Sequence, residues 1–409
     1  MMKIYLIGKP LGHSWSPVIH SHLADYSYEL KELDADALGD FILHGDYDGL
    51  NVTIPYKRDV MKYLDEISPE AERIGAVNTV VRRGGKLYGY NTDYCGFSAL
   101  LDSIGLDVRH KKVLVLGTGG SFHTVRTVLT DRGSSEIIPI SRSGDDNYEN
   151  ISRHADADVI VNTTPVGMYP KTGISPVDLS VFPRLSGVVD IVYNPEKTEM
   201  ILSAEERGIP SASGLTMLVA QAKAAAEYFV GGTLGDCVPS VAEIVGKINA
   251  EKRNTVLVGM PGCGKSSVGR ELAKLTGRRF YDTDEVVAEK YGRTPAEIIK
   301  EDGEAAFRKI ESEVLSSLTR ESSLIIATGG GAVIKAENRR RMRENGTVVF
   351  IERPLCELSS DGRPLSQQKS AEKLWAERKE FYLAAADITV KSCRTPLETA
   401  EEIIKETKK

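Results

Sequence analysis

The sequence predicts an α/β protein built from parallel, doubly wound sheets with helices on both faces. Short apolar runs bounded by Gly, Asn or Asp alternate with helix-like stretches along the chain, and this alternation is typical of such sheets. The length of 409 residues allows several units at about 100 to 200 residues per domain. A phosphate-binding pattern begins at Gly259. The part of the chain before it is too long to be an extension of the domain that carries this pattern. We therefore expect at least two functions in the chain.

The predicted elements divide the chain at a helical, charged stretch, residues 240–253. Before it, the predicted strands are Lys3–Ile7, Gly49–Ile54, Val113–Leu116, Ile137–Ile140, Val159–Asn162 and Val188–Ile191. After it, the predicted strands are Thr255–Val258, Ser323–Ala327 and Val348–Ile351. We expect three domains: an α/β domain over residues 1–100 with helices returning to it from about 220–250, a Rossmann-type domain over 101–220, and a P-loop domain over 254–409.

Composition and charge argue against several classes of protein. A net charge of −6 disfavours nucleic acid or an anionic membrane as the main partner. The five cysteines are scattered and form no C-x-x-C pair, so neither a disulfide framework nor a zinc site is expected. The apolar N-terminus before Gly8 is too brief for a signal peptide, and no apolar run reaches the roughly 18 residues of a membrane span. A reducing cytoplasm is the expected compartment.

The pattern G-x-x-x-x-G-K-S at residues 259–266 is the strongest chemical signal in the chain. Its glycines let backbone N–H groups surround nucleotide phosphates, Lys265 neutralises the outer phosphates, and the Ser266 hydroxyl ligates Mg²⁺. The alternative is a chance match in a Gly-rich loop, which is disfavoured because the pattern lies between a predicted strand and a helix. ATP and Mg²⁺ are the expected ligands. The residues assigned to ATP are Gly259, Gly262, Cys263, Gly264, Lys265, Ser266 and Ser267.

A second nucleotide site is predicted where the strand Lys112–Leu116 runs into a glycine-rich turn. Such a turn brings a pyrophosphate to a helix N-terminus, although the third fingerprint position, normally small, is Phe122. After the next strand an arginine stands in place of the acidic residue that would hold a ribose 2′-hydroxyl, so NADP is favoured over NAD. The alternative is that this arginine is a solvated surface charge. The residues assigned to NADP are Gly117, Gly119, Gly120, Ser141 and Arg142.

Blocks across the first 250 residues resemble the shikimate dehydrogenase family and occur in the family's order. They are G-K-P-L-G-H-S-W-S-P at 8–17, N-V-T-I-P-Y-K at 51–57, G-A-V-N-T at 75–79, N-T-D at 91–93 and G-L-T-M-L-V-A-Q-A at 214–222. The resemblance implies NADPH-dependent reduction of 3-dehydroshikimate. It implies that Lys57 handles the proton at the reacting oxygen, and that Asp93 pairs with Lys57 and with a ring hydroxyl. The residues implied to orient the substrate are Ser14, Ser16, Thr53, Asn78, Tyr193 and Gln221.

Elementary chemistry agrees with the roles that the resemblance implies for Lys57 and Asp93. Reduction of a ring ketone needs a hydride donor on one face and a proton source held against the carbonyl oxygen. The two residues offer a coupled cation and anion, and we expect both at junctions between a strand and a loop. A purely structural salt bridge is the alternative interpretation.

The residues from about 254 onward resemble shikimate kinase, again through ordered blocks. These are F-Y-D-T-D at 280–284, G-E-A-A-F-R at 303–308, A-T-G-G-G at 327–331, G-R-P-L at 362–365 and E-R-K-E-F-Y at 377–382. The resemblance implies phosphorylation of shikimate by ATP. The residues implied to bind shikimate are Asp284, Arg308, Gly329, Gly330, Gly331 and Arg378. Arg363 is implied to be the lid arginine over the transferring phosphoryl group, and Asp282 to assist Mg²⁺.

These residue types suit phosphoryl transfer, which depends on positioning and on neutralising charge at the equatorial oxygens. We expect the two aspartates on the same side of a strand end, at i and i+2, with Asp284 able to accept the proton of the attacking hydroxyl. Arginine at 308 and 378 suits bidentate recognition of a carboxylate, the alternative being surface charge.

Two further residues complete the predicted kinase domain. Arg394 is the one candidate for the adenine pocket, which the sequence otherwise leaves unassigned. The helix-like stretch 371–385 carries Trp375, which we expect in the core rather than in contact with a ligand.

The two resemblances share one molecule, because shikimate is the product of the first reaction and the substrate of the second. They imply a bifunctional enzyme with NADP, ATP and Mg²⁺, with small-molecule substrates and without nucleic acid or membrane partners; the sequence leaves self-association open. One rival is an NAD-dependent oxidiser of quinate or shikimate, which the arginine at 142 disfavours. Another is a sensor that kept both folds but lost catalysis, which predicts erosion of Lys57, Asp93, Lys265 or Asp284, and all four are present.

Overall fold

The computed structural model describes residues 1–12, 14–235, 237–358 and 370–407. These residues form two compact units. The first comprises Met1–Met168 and Ile174–Ile248, and the second comprises Tyr169–Gly173 and the described residues from Asn249 onward. The α/β class that the sequence predicts is confirmed in both units.

The elements are numbered in chain order. The strands are β1 (Lys3–Gly8), β2 (Ser27–Glu32), β3 (Gly49–Val52), β4 (Glu66–Ile67), β5 (Thr79–Arg83), β6 (Lys86–Tyr90), β7 (Lys112–Leu116), β8 (Glu136–Ile140), β9 (Val159–Asn162), β10 (Gly187–Asp190), β11 (Ser211–Ser213), β12 (Asn254–Val258), β13 (Arg279–Asp282), β14 (Leu324–Ala327), β15 (Gly346–Glu352) and β16 (Ile388–Lys391). The helices are α1 (Ser16–Ser21), α2 (Leu38–His44), α3 (Pro69–Ile74), α4 (Asp93–Ser103), α5 (Gly120–Asp131), α6 (Glu199–Glu206), α7 (Leu215–Val230), α8 (Val241–Lys252), α9 (Lys265–Thr276), α10 (Thr283–Tyr291), α11 (Pro295–Asp302), α12 (Glu304–Thr319), α13 (Ala336–Glu344), α14 (Ala371–Ala385) and α15 (Pro396–Thr407).

The first unit begins with a mixed sheet in the order β2, β1, β3, β5, β6, β4. Strand β1 is parallel to β2 and β3, whereas β5 is antiparallel to β3 and to β6, which differs from the expected parallel pairing. The pair β5 and β6 is antiparallel because a two-residue turn joins the two strands. Gly84 and Gly85 have φ of 56° and 80°, a conformation that glycine adopts without steric cost and that a tight hairpin requires.

The second sheet of the first unit is parallel throughout, in the order β11, β10, β9, β7, β8. Strands β9 and β10 are buried along their whole length, as expected where helices cover both faces. Alternate residues of β7 enter different apolar clusters, Val113 and Val115 on one face and Leu114 and Leu116 on the other. This is the Rossmann-type arrangement that the sequence predicts.

The second unit contains one parallel sheet in the order β13, β14, β12, β15, β16. The carboxyl ends of parallel strands meet at one edge of a sheet. The segments that follow β12, β13, β14 and β15 are therefore neighbours, and they supply the site described below.

Helix α8 occupies the stretch predicted to link the domains. Its residues Ile244 and Ile248 are fully or almost fully buried and pack in an apolar cluster with Ile19 and Leu215. The helix predicted in this stretch is present over Val241–Lys252, and its buried face packs within the first unit. Among the described residues, the structure contains no helix with the length and apolar character needed to cross a membrane.

Candidate active sites

A cleft of about 500 Å³ lies in the first unit. It contains every residue that the sequence assigns to the dehydrogenase substrate and to proton transfer: Ser14, Ser16, Thr53, Lys57, Asn78, Asp93, Tyr193 and Gln221. Chain folding thus brings together residues that lie far apart in sequence, from the first strand's loop to α7.

The ion pair in this cleft joins Lys57 and Asp93. The Lys57 Nζ donates a hydrogen bond of 2.6 Å to Asp93 Oδ2, and the two side chains are 29% and 17% exposed. Lys57 follows β3 in a loop, as expected, but Asp93 is the first residue of α4 rather than part of a strand-to-loop junction. The positive end of the helix dipole favours a carboxylate there. The pair is therefore preorganised and still reachable by a ligand.

The serines at 14 and 16 lie side by side at the start of α1. The Ser14 Oγ is 3.1 Å from the Ser16 Oγ and accepts a hydrogen bond from the Ser16 backbone N–H. Two hydroxyls on one short loop form a small polar surface that can donate to both oxygens of a carboxylate. Trp15 between them packs edge to face on Tyr193, with 5.3 Å between ring centroids. Burial raises the pKa of Tyr193, which keeps its hydroxyl protonated.

A buried network orients the amides of Asn78 and Gln221. The Asn78 Oδ1 accepts hydrogen bonds from the Thr92 backbone N–H at 2.7 Å and from its hydroxyl at 3.2 Å. The Thr92 hydroxyl also lies 3.4 Å from the Gln221 Oε1. The Gln221 Nε2 donates a hydrogen bond to the Leu218 carbonyl. These bonds fix both amide planes beside the cleft.

The cleft also contains residues that the sequence interpretation missed. Tyr28 and Asn51 line it, and the Tyr28 hydroxyl donates a 2.9 Å hydrogen bond to the Asn51 Oδ1. Asn51 is the first residue of the block N-V-T-I-P-Y-K, so the sequence could have indicated it as a residue of the cleft. Tyr28 lies in β2, which was not predicted, and no motif points to it.

The glycine-rich turn for NADP follows β7 at the carboxyl edge of the Rossmann sheet. Gly117 has φ of 94° and donates its N–H to the Ile140 carbonyl at 2.8 Å. Gly119 and Gly120 begin α5, and a Cβ added to either would meet no atom within 4 Å. Phe122, the departure from the fingerprint, is buried in the apolar cluster beneath the helix, so it packs inward and leaves the turn open.

The two other residues assigned to NADP follow the neighbouring strand. Strands β7 and β8 pair with Leu116 opposite Ile140, which places Ser141 and Arg142 at the same edge as the turn. Arg142 is exposed. An exposed arginine at this edge is available to a ligand phosphate and equally to solvent.

A second cavity, of about 580 Å³, lies in the second unit. The residues assigned to ATP, Mg²⁺ and shikimate that line it are Gly262, Gly264, Lys265, Ser266, Ser267, Asp282, Asp284, Arg308, Gly329, Gly330, Gly331 and Arg378. Gly259 and Cys263 do not line it, and Cys263 is buried in the core beneath the loop. Arg363 lies outside the described residues. Arg394 is exposed and does not line the cavity, and its assignment to the adenine pocket stays a prediction.

The phosphate-binding loop joins β12 to α9. The Lys265 Nζ donates to the Gly259 carbonyl at 2.9 Å and to the Met260 carbonyl at 3.0 Å. The loop therefore holds the lysine through its own backbone. The Ser266 Oγ lies 2.5 Å from the Asp282 Oδ2, which unites the two residues assigned to Mg²⁺.

The two aspartates at the end of β13 are arranged differently from the expectation. Asp282 ends the strand, but Asp284 lies in the first turn of α10, so the two do not project from one strand face. The Asp282 carboxylate accepts a 2.9 Å hydrogen bond from the Asp284 backbone N–H and caps the helix. This N-cap ends the strand at Asp282, two residues before Asp284.

Burial in the cavity raises the pKa of Asp284 to about 6, and the negative charges of Asp282 and Glu311 add to this effect. Lys265 and Arg308 act in the opposite direction. Because the side chain faces an open cavity and is itself accessible to water, solvent screens part of the effect. Burial is the main cause of the upward direction of the pKa, and the neighbouring carboxylates reinforce it.

Glu311, which the sequence interpretation missed, lies beneath Gly329, one of the glycines assigned to shikimate. Its side chain is 1% exposed, its Oε2 accepts a 2.8 Å hydrogen bond from Arg308, and its Oε1 has no hydrogen-bond partner. Burial raises its pKa against the opposing effect of Arg308. A Cβ on Gly329 would lie 2.4 Å from the Glu311 Oε1. Glu311 follows Arg308 by three residues on one helix, and this spacing could have indicated the ion pair from the sequence.

Two aromatic residues of α14, Trp375 and Tyr382, have structural roles. Trp375 packs against the core near Phe350 and Tyr382, with ring centroids 6.2 and 6.4 Å apart, so the expectation of a core position is confirmed. The Tyr382 hydroxyl donates to the Gly330 carbonyl and holds the glycine loop. Arg378, one turn earlier on α14, is 6% exposed and reaches the cavity with a buried Nε that has no hydrogen-bond partner.

Comparisons with known proteins identify the family of each part of the chain. Residues 6–80 match the family model of the shikimate dehydrogenase substrate binding domain, and residues 261–408 match that of shikimate kinase. A shikimate dehydrogenase (NADP⁺) of Clostridium beijerinckii is 40% identical over 249 residues, which cover 56% of this chain and 92% of that protein. The chain belongs to the shikimate dehydrogenase family. It carries a shikimate kinase domain after the dehydrogenase and is a bifunctional enzyme.

Solved structures extend the shikimate dehydrogenase match. A chorismate mutase/shikimate 5-dehydrogenase fusion protein of Clostridium acetobutylicum has a TM-score of 0.57 and 36% identity over 61% of this chain and 98% of that chain. A shikimate 5-dehydrogenase of Thermus thermophilus, solved with NADP(H) and shikimate, has a TM-score of 0.54 and 30% identity over 60% of this chain and 97% of that chain.

Proposed function

We propose that this shikimate dehydrogenase and kinase fusion reduces 3-dehydroshikimate to shikimate with NADPH, and then phosphorylates shikimate at its 3-hydroxyl with ATP. One observation carries the proposal: a single chain contains one cleft lined by every residue assigned to the dehydrogenase substrate and a second cavity lined by most of those assigned to the kinase, and the product of one reaction is the substrate of the other. The domain order follows the reaction order. We further propose that residues 1–100 with helices from about 220–250 bind the first substrate, residues 101–220 bind NADP, and residues 254–409 act as the kinase.

In the dehydrogenase cleft, Lys57 donates the proton to the carbonyl oxygen as hydride reaches the carbon. Asp93 keeps the lysine positioned and charged, and it accepts a hydrogen bond from a ring hydroxyl. Ser14 and Ser16 donate to the substrate carboxylate, while Thr53, Asn78, Tyr193 and Gln221 hold the ring. Each contact restricts the ketone to one orientation, which lowers the entropic part of the barrier.

The residues at the Rossmann turn fit NADP. Gly119 and Gly120 leave space where a phosphate would approach the N-terminus of α5, and a Cβ at either would occupy that space. Arg142 would neutralise the 2′-phosphate, with Ser141 beside it. NADPH supplies the hydride when it is bound.

In the kinase cavity, Asp284 accepts the proton of the attacking hydroxyl, because its raised pKa places it near the range where a carboxylate is an effective base. Arg308 and Arg378 bind the shikimate carboxylate, and Gly329, Gly330 and Gly331 allow the ring to approach the backbone. Lys265 neutralises charge on the transferring phosphoryl group. Arg363 is assigned the lid role by resemblance alone.

The residues present fit Mg²⁺ bound together with nucleotide phosphates. Within the described part of the chain, no cluster of three His, Cys, Asp or Glu residues could hold a metal by itself. Ser266 and Asp282 would supply two oxygens, which suits a cation that retains water and phosphate ligands. The cation would neutralise charge on the phosphates.

One experiment tests the whole proposal. The purified chain is incubated with 3-dehydroshikimate, NADPH and Mg-ATP, and NADPH loss and ADP formation are followed separately. ADP that appears only after NADPH is consumed supports both activities and their order. NADPH loss without ADP contradicts the kinase assignment. No loss of NADPH contradicts the reductase assignment, and added shikimate then tests the kinase by itself.

A further inference from the structure

We propose that Arg353 contacts the α- and β-phosphates of the kinase nucleotide, as a second cation at the phosphate-binding loop beside Lys265. The inference rests on the proposed kinase function. None of the blocks that resemble shikimate kinase includes this residue, so the structure alone suggests the role.

Sheet topology places Arg353 beside the loop. Strand β15 pairs with β12 along its length, with Phe350 opposite Val258, and the two strands end at the same edge. The contact continues past the strands, since a Cβ at Gly259 would lie 2.8 Å from the Ile351 carbonyl oxygen. Arg353 follows two residues later and lines the same cavity as Lys265 and Ser266.

The guanidinium faces the end of the loop where phosphate would bind. A Cβ at Gly264 would lie 3.9 Å from the Arg353 Nη1. Gly264 is the N-cap of α9, and the N–H groups of such a helix start and the adjoining loop are the usual ligands of nucleotide phosphates. A guanidinium at this distance can donate two parallel hydrogen bonds to phosphate oxygens.

The donors of Arg353 are not fully used within the protein. The Nε is shielded from solvent and has no hydrogen-bond partner. The Glu357 Oε2 lies 3.5 Å from it, but this pair lacks hydrogen-bond alignment, and Glu357 is 55% exposed. A buried donor without an acceptor is costly, and a phosphate oxygen would satisfy it.

The test measures binding of ADP, AMP and adenosine to the full chain and to Arg353→Gln, with Arg353→Lys as the conservative variant. We expect the Kd for ADP to rise about tenfold or more in Arg353→Gln, less in Arg353→Lys, and the Kd for adenosine to stay unchanged. In kinase assays the KM for ATP should rise while the KM for shikimate stays constant.

Two controls separate the role from a structural one. Arg270→Gln removes an exposed arginine of α9 that does not line the cavity, and it should leave ADP binding unchanged. Glu357→Gln removes the ion pair and should have a much smaller effect than Arg353→Gln. Dehydrogenase activity, measured on the same preparations, reports that the chain is folded.

Each outcome has a distinct meaning. Unchanged ADP affinity in Arg353→Gln overturns the inference, and so does an equal loss of adenosine affinity, which would assign the arginine to the base. Equal effects of Arg353→Gln and Glu357→Gln would assign it to a structural pair. A wild-type chain that does not bind ADP contradicts the proposed kinase function instead.

Discussion

Lys57 and Asp93, 36 residues apart in the chain, are joined by a 2.6 Å hydrogen bond in the dehydrogenase cleft. Each is partly exposed, so a ketone oxygen could reach the ammonium group without breaking the pair. An exposed salt bridge contributes little to stability, whereas a pair held inside a cleft is suited to proton transfer.

Replacement Lys57→Ala should lower dehydrogenase kcat by about 100-fold to 10,000-fold, because the positioned proton donor is lost. Kinase activity of the same preparation should be unchanged. The measurement is NADPH oxidation with 3-dehydroshikimate beside ADP formation with shikimate. Lys62→Ala, an exposed lysine nearby, is the matched control. Retained reduction in Lys57→Ala would contradict the assignment.

Replacement Arg142→Ala should weaken NADPH binding about tenfold or more and leave NADH binding unchanged, since only NADPH carries the 2′-phosphate. Fluorescence titration with both cofactors measures this. Arg109→Ala is the control, because Arg109 precedes β7 at the other end of the sheet and pairs with Asp107. A wild-type preference for NADH would rule out the role.

The kinase should lose kcat/KM as pH falls through about 6. Asp284, whose pKa is raised to about 6, must be ionised to accept a proton, and kcat/KM reports the free enzyme. Replacement Glu311→Gln removes a neighbouring negative charge, so the pKa of Asp284 should fall and the acid limb should move to lower pH.

For Glu311→Gln, the quantity to measure is the pH at which the kinase kcat/KM falls. The rate itself is not used, because the substitution also disturbs Arg308. The dehydrogenase pH profile should stay the same and serves as the internal control. A limb that remains in place, or moves to higher pH, would show that the Asp284 carboxyl does not limit the reaction.

Replacement Gly329→Ala should raise the kinase KM for shikimate about tenfold or more. The new methyl group would lie 2.4 Å from the Glu311 Oε1, so the buried carboxylate must shift and its 2.8 Å bond to Arg308 must weaken. The KM for ATP should change little. Steady-state kinetics with each substrate varied gives both constants, and an unaltered shikimate KM would exclude the proposed packing.

Sequence motifs located most of both candidate sites, since they record residue types at fixed spacings. They failed where the backbone conformation differs from the one that the spacing of the residues suggests. Asp284 was expected on a strand, but the N-cap formed by Asp282 starts a helix there. The hairpin with Gly84 and Gly85 was missed although two adjacent glycines between β-rich runs are a turn signal.

The sequence by itself determined the α/β class, the two nucleotide-binding turns and the chemical groups available for each reaction. These follow from local patterns, in which apolar runs make strands and glycines make phosphate-binding turns. Only the tertiary structure decided that Tyr28, Glu311 and Arg353 belong to the sites. The positions of Tyr28 and Arg353 depend on which strands become neighbours, and no local pattern encodes that long-range relation. For Glu311 the spacing from Arg308 was a local signal, but its burial beneath the glycine loop is a property of the folded chain.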